Sequence, residues 1–413
     1  MDETRKIDAR AFITPPFIAC PKCSLQSFGI LRVEPDNFLR RCRECFHMEG
    51  FALPKLHKAV VYLDQFVISN LMLVRSGTRQ VQPFYHTLYN KLLNLGNLQA
   101  VVCPHSEAHS IESIVSAEHK QLRSAFEMFA HSVRFEEFDL IRAHQVLDRL
   151  AKWLARDSSP TSISRKTVLR GGCPDVWVDR INVYVEMPPI PGLVDKLRAW
   201  RSKSHSGLVR VFEDTWKKQP ERSWEYWRDR EAGYWGPGLI PIFAREIAKW
   251  DDIVNGRRQP EGLHEMQPHH FVTLILDIAS KIESAGCPKE EKIRMAFEFL
   301  HSDTLARAPF RQIAGSLYAC LAKKAASQIK PPTEGFHNDV DVMSCMSPYC
   351  DAMFMDREIA AYWREIQRSP TRRLPFETRV FSLATKTEFL AYLDDLDREV
   401  PAEQRRIVTE VYG

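Results

Sequence analysis

Two sets of residues in this chain have types and spacings that suit metal chemistry. The first is "CPKC" at Cys20 and Cys23 followed by "CREC" at Cys42 and Cys45. A two-residue gap lets one turn aim both thiolates at a single ion, and two such turns complete a tetrahedral site for Zn²⁺. Four thiolates leave no coordination position for water or substrate, so a zinc ion here is expected to hold the fold and perform no reaction.

The second set is acidic. Asp64 directly follows the apolar run "AVVYL", Glu107 comes shortly after "QAVVC", and Asp356 directly follows "AMFM". Asp339 and Asp341 open a helical stretch ahead of "AMFM", and Asp351 stands at the other end of that run. In an open parallel sheet, ligands bind outside the carboxyl ends of the strands. Asp64, Glu107, Asp356 and one of Asp339 or Asp341 are therefore expected to converge. Clustered carboxylates repel and raise one another's pKa, so such a set calls for a cation, and oxygen-only ligands favour Mg²⁺ or Mn²⁺ over zinc. A divalent ion there can activate water and stabilise the leaving oxygen of a phosphodiester. Glu112 competes with Glu107 for the second position, with Glu107 preferred. His105 and His109 flank Glu107 and read as residues around the site or solvated side chains.

These acids need a sheet to hold them. From residue 57 the order is strand, helix, helix, strand, helix, which is α/β wiring. Residues 116–307 read as helix after helix, divided by the loops "EMPPIPG" and "GYWGPGLIP". Strand character returns at "AMFM" and "TRVFSL" before a closing helix. The economical reading is a zinc ribbon (14–54) and one α/β domain in two parts (57–115 and 308–400) around an all-helical insertion (116–307). Within the ribbon, Lys22, Arg40, Arg41 and Arg43 are candidates for phosphate contact or a solvated basic rim. The aromatic-rich "SWEYWRDREAGYWGPG" offers rings for stacking bases, though such residues more often fill cores.

"VVYLDQFVISNLM", "VVCPHSEAHSIES", "NDVDVMSCMSPYCDAMFMDREI" and "RVFSLATKTEFLAYL" resemble the successive acidic motifs and last strand of a PIN-like nuclease domain. The resemblance implies a parallel sheet between helices, a Mg²⁺ or Mn²⁺ site and cleavage of RNA. It implies that Asp64 is the first-strand aspartate, Glu107 the second-motif glutamate, Asp341 or else Asp339 the third acid, and Asp356 the fourth. A role in toxicity or phage defence is implied in the same way. The large insertion and the extra acid Asp351 depart from the family pattern.

Composition leaves this open. The chain has 413 residues, 44% hydrophobic and 27% charged, with a net charge of +4, which is ordinary for globular proteins and long enough for two or three structural units. No run of about 18 apolar residues exists to span a membrane, and the charged start "MDETRKIDAR" suggests a cytoplasmic protein. The expected partner is nucleic acid, RNA ahead of DNA. A DNA nuclease and a catalytically silent binding module are the alternatives, and a homo-oligomer or a regulatory partner protein fits either.

Overall fold

The computed structural model describes residues 8–77, 80–114, 116, 118–170, 173–178, 192–262, 265, 267–327 and 330–413. The chain begins with four strands, β1 (Thr14–Ala19), β2 (Gln26–Val33), β3 (Asn37–Cys42) and β4 (Met48–Ala52), in an antiparallel sheet of order β1-β2-β3-β4. The cysteine pairs lie in the β1–β2 turn region and around the β3–β4 turn. Arg40 is wholly buried and donates to the carbonyls of Pro16, Phe28 and Glu410. It ties the ribbon together and cannot meet phosphate as the sequence reading allowed.

A run that is apolar at every position belongs in a strand covered on both faces. β5 (Ala59–Leu63) is buried at all five residues. Asp64 caps α1 (Gln65–Ser76), its carboxylate accepting from the Gln65 amide at 2.6 Å. The chain continues through α2 (Pro83–Asn97), β6 (Val101–Val102), α3 (Glu107–Ile114) and α4 (His119–Ala130). β7 (Arg134–Phe135) then precedes α5 (Phe138–Ala155) and pairs antiparallel with β8 (Leu169–Arg170). Helices α6 (Leu193–Val211), α7 (Trp224–Val254), α8 (His270–Ser284), α9 (Lys292–Leu300), α10 (Asp303–Ala306), α11 (Pro309–Ala325) and α12 (Phe336–Met346) follow. The chain closes with β9 (Ala352–Phe354), α13 (Arg357–Arg368), β10 (Arg379–Phe381), α14 (Lys386–Glu399) and α15 (Ala402–Tyr412).

β6, β5, β9 and β10 form one sheet in that order, parallel throughout. Alternation along β5 divides the core. Val60 and Tyr62 face α11, α12 and α13, whereas Ala59, Val61 and Leu63 face α1, α2, α4 and α14. The first of these cores runs on into α5 and α7 through Ile141, Trp224 and Trp227. A further core joins α5, α7, α8, α9 and α10, and α15 packs on the ribbon through Ile407 and Val411. The architecture is thus mixed α/β, a parallel sheet with many helices and an amino-terminal cysteine cluster.

"GYWGPGLIP" is helix and not the expected loop, since α7 runs unbroken through Pro237 and Pro241. Interior prolines cost hydrogen bonds, but packing on both sides holds this helix. A Cβ at Gly236 would come within 2.0 Å of the Leu300 carbonyl oxygen, and one at Gly315 of α11 within 2.8 Å of the Arg228 carbonyl oxygen. Only glycine allows these backbones so close. Most of "EMPPIPG" lies outside the described residues.

Candidate functional site

The four cysteines are, among the described residues, the one group of three or more metal-ligating side chains whose ligand atoms lie within 4.8 Å of one another. Cys20 Sγ to Cys45 Sγ and Cys23 Sγ to Cys42 Sγ are both 3.6 Å. A tetrahedral ion with bonds of about 2.3 Å to sulfur has edges of about 3.8 Å. The cluster is therefore compatible with a structural zinc site. Burial opposes a thiolate at Cys42, but the Ser27 hydroxyl and the amides of Cys45 and Glu44 outweigh it and bring this thiol down to about 6.

A second cluster forms where β5 and β9 end. Parallel pairing of these strands brings Asp64, directly after β5, near Asp356, two residues after β9. The Asp64 carboxylate accepts from the Gln65 amide, and the Asp356 amide nearby also favours its charged form. Asp356 caps α13 by accepting from the Glu358 amide at 2.7 Å. Asp339, in the first turn of α12, and Glu112, in α3, complete the group. Burial, followed by the charges of Asp64, Asp356 and Glu112, pushes Asp339 up to about 9. Burial and then Glu112 raise Asp64 to about 7, with a further contribution from Asp356. Glu112 is itself raised, by burial, against the opposing pull of Arg201 at 3.6 Å and an Asn338 hydrogen bond.

The buried His109 steadies the end of β5. Its Nδ1 accepts from the Ser106 amide at 3.1 Å, which leaves Nε2 to donate to the Leu63 carbonyl at 2.8 Å, and its ring stacks on Tyr62. Burial holds both His105 and His109 below the ordinary histidine value, His105 at about 4. His109 is buried and His105 half-buried.

Of the residues singled out from the sequence, the structure brings Asp64, Asp339 and Asp356 together. Glu107 and Asp341 lie elsewhere, both lining a cavity beside Arg142. Glu107 accepts from the Phe138 amide at 2.8 Å, and Asp341 pairs with Arg142 at 2.5 Å. Asp351 sits at the opposite end of the sheet, where it pairs with Arg165 at 2.7 Å and accepts from the Val60 amide. The residues the sequence did not single out are Arg201 and Asn338, which both touch Glu112. Glu112 itself had been ranked behind Glu107. A helical clue existed, since Glu112 follows the buried Ala108 and His109 by four and three positions.

With this geometry in hand, the chain was compared with known proteins. No family model, no curated protein and no solved structure matches it. Among the described residues no helix is long and apolar enough to cross a membrane.

What the acid cluster can do follows from its charge. Asp64 and Asp339, raised by burial and then by the neighbouring acids, lose that burden when a cation arrives. The donors are all oxygen, which suits Mg²⁺ or Mn²⁺. No three of the carboxylates reach the 4.8 Å separation that the cysteines meet. Mg²⁺ commonly keeps several waters and takes only one or two carboxylates directly, so the spacing fits a hydrated ion.

Proposed function

We propose that this protein is a divalent-metal-dependent nuclease with a PIN-like catalytic domain, and that RNA is its substrate. The observation that carries the reading is the meeting of Asp64, Glu112, Asp339 and Asp356, from four separate elements, beyond the carboxyl ends of a parallel sheet. Strand order and the motifs around Asp64, Asp339 and Asp356 support the family resemblance. Glu112 takes the second-motif role that the sequence alone gave to Glu107.

Asp64 and Asp356, brought near each other by the strand pairing, would hold the ion, with Asp339 and Glu112 binding directly or through water. The bound ion supplies an activated water and charge stabilisation for in-line attack on phosphorus. Asp339, raised to about 9 by burial and the neighbouring acids, would serve as a base toward that water only once a bound ion had displaced its proton. Arg201 limits the negative charge at Glu112 and offers a cation to an incoming phosphate. A DNA substrate is the second reading, as nothing at the acids distinguishes a 2′-hydroxyl.

The test is cleavage of end-labelled single-stranded RNA and DNA by the full chain with Mn²⁺, with Mg²⁺, or with no added divalent ion. Asp64→Asn, checked for folding by circular dichroism, serves as the control. Metal-dependent cutting of RNA that the variant lacks is the expected result. Intact substrates under all conditions would remove the proposal and favour a silent binding module.

A further inference from the structure

A cavity of about 410 Å³ lies between α3, α5, α6, α7, α8, α11 and α12, within the size range of about 300–1,000 Å³ typical of small-molecule sites. None of the four clustered acids lines it, yet it adjoins them. Arg201 and Asn338 line the cavity, and both contact Glu112.

Its cations are not equally engaged. Arg142 is held by Asp139 at 3.2 Å and Asp341 at 2.5 Å. Arg201 is not so held. Among the described residues its Nε and Nη2 are buried with no hydrogen-bond partner, and Nη2 reaches Glu112 only across an ion pair of 3.6 Å. Leaving buried guanidinium donors unmet is costly, and an oxyanion ligand removes that cost. Arg311 donates through Nε to the Ala232 carbonyl and through Nη2 to the Glu231 carbonyl. Burial lowers its pKa to about 10, a sign of incomplete compensation.

The remaining walls are aromatic. Trp235 packs edge-on to Phe271 at 6.5 Å and lies under the Arg311 guanidinium at 5.9 Å. His270 stands 4.0 Å from Phe271 and 3.2 Å from Asp139. A site for a bare anion needs no such surface. Unmet guanidinium donors beside an aromatic compartment suit a planar heterocycle that carries a phosphate.

We propose that this cavity binds one nucleoside monophosphate unit, with its phosphate on Arg201 and its base against the aromatic wall that Trp235, His270 and Phe271 form together. The Arg311 guanidinium then meets an acceptor on the base. The phosphate sits beside Glu112, next to the acid cluster. The unit is either a free nucleotide or the phosphorylated end of a nucleic-acid strand. Binding does not rest on the nuclease reading, but a strand end held there would place its linkage toward the acids and so would rest on it.

Calorimetric titration of the full chain without added divalent ions tests the site. The probes are the four ribonucleoside 5′-monophosphates, the matching nucleosides and inorganic phosphate. Saturable binding of at least one monophosphate is expected, at least tenfold tighter than its nucleoside and than phosphate. Arg201→Met and Trp235→Leu should each weaken it tenfold or more, Arg201→Lys should recover part of the loss, and Asp64→Asn should retain it. Absence of monophosphate binding, or binding unchanged in a folded Arg201→Met, would overturn the proposal. A 5′-phosphorylated RNA decamer that displaces the monophosphate identifies the strand end as occupant. A decamer that fails to do so identifies the free nucleotide, and either result supports the site. Binding without cleavage would remove only the nuclease reading, and cleavage without binding only this one.

Discussion

The two clusters differ in how their ligands are held before any metal arrives. The cysteine sulfurs already stand at nearly tetrahedral spacing, bridged by a small antiparallel sheet. The carboxylates come from four elements far apart in sequence and do not close to that spacing, and burial followed by the neighbouring acids raises Asp64 and Asp339. A closed thiolate site gives its binding energy to folding, whereas an open carboxylate site stores repulsion that an ion and substrate can relieve.

The largest effect is expected on the thiolate side. Zinc removal, or Cys42→Ser, should unfold the ribbon, because structural zinc contributes on the order of 10 kcal/mol in small domains. The damage should reach α15, whose Ile407 and Val411 share a core with Ile30 and Phe38 and whose Glu410 carbonyl accepts from Arg40. Metal analysis should find one zinc per chain, and chelation should be followed by proteolysis of both segments. A ribbon that resists protease after complete zinc loss would refute this. RNA cutting by the residual sheet domain would be lowered and not abolished.

On the carboxylate side, Glu112→Gln should lower metal-dependent cleavage by more than the roughly 10–100-fold caused by losing a residue that merely orients a ligand. The loss should shrink as Mn²⁺ is raised, since a missing ligand weakens ion binding. Equal activity of wild type and Glu112→Gln at limiting Mn²⁺ would exclude Glu112 from the site and return Glu107 to consideration.

The same repulsion should be visible in stability. An unfolded aspartate titrates near about 3.9, while Asp64 and Asp339 are raised to about 7 and about 9 in the fold. Between these values the native chain binds more protons than the unfolded one, so stability falls as pH rises from about 4 to about 9. Below that window this contribution is fully present. Asp339→Asn should flatten the slope and raise the melting temperature of the metal-free protein at pH 8 by a few degrees, on the order of 1 kcal/mol for a chain this long. Added Mg²⁺ should stabilise wild type more at pH 8 than at pH 5. A melting temperature unaffected by pH and Mg²⁺ would mean the carboxylates do not interact as described.

Much of this contrast was legible in the sequence. CxxC spacing carries its own geometry, so Cys20, Cys23, Cys42 and Cys45 needed no tertiary knowledge. Asp64 and Asp356 were readable because an all-apolar run ending in aspartate fixes both the strand and its end. The helical positions were harder. Glu107 and Glu112 are five residues apart, about 140° around α3, and Asp339 and Asp341 are about 200° apart on α12. Which face meets the acids depends on how each helix docks. For Asp341 it also depends on Arg142, a partner 199 residues away. The prolines of α7 misled because close packing at Gly236 and Gly315 outweighs local preference.

The smallest expected effect tests Asp351, an acid that belongs to neither cluster. Asp351 is an acid near a strand end like the others, yet it lies where β9 begins and already has partners. Its Oδ1 meets Arg165 at 2.7 Å and its Oδ2 accepts from the Val60 amide at 2.8 Å. A carboxylate satisfied in this way has no need of a cation. Asp351→Asn keeps one acceptor and loses the charge, so stability should fall by about 1 kcal/mol, the usual scale for a partly exposed ion pair. Cleavage rate and its Mn²⁺ dependence should not change. Loss of activity beyond that explained by melting would tie the two ends of the sheet together, and position at the carboxyl ends of the strands would no longer separate the acids that bind metal from those that hold the fold.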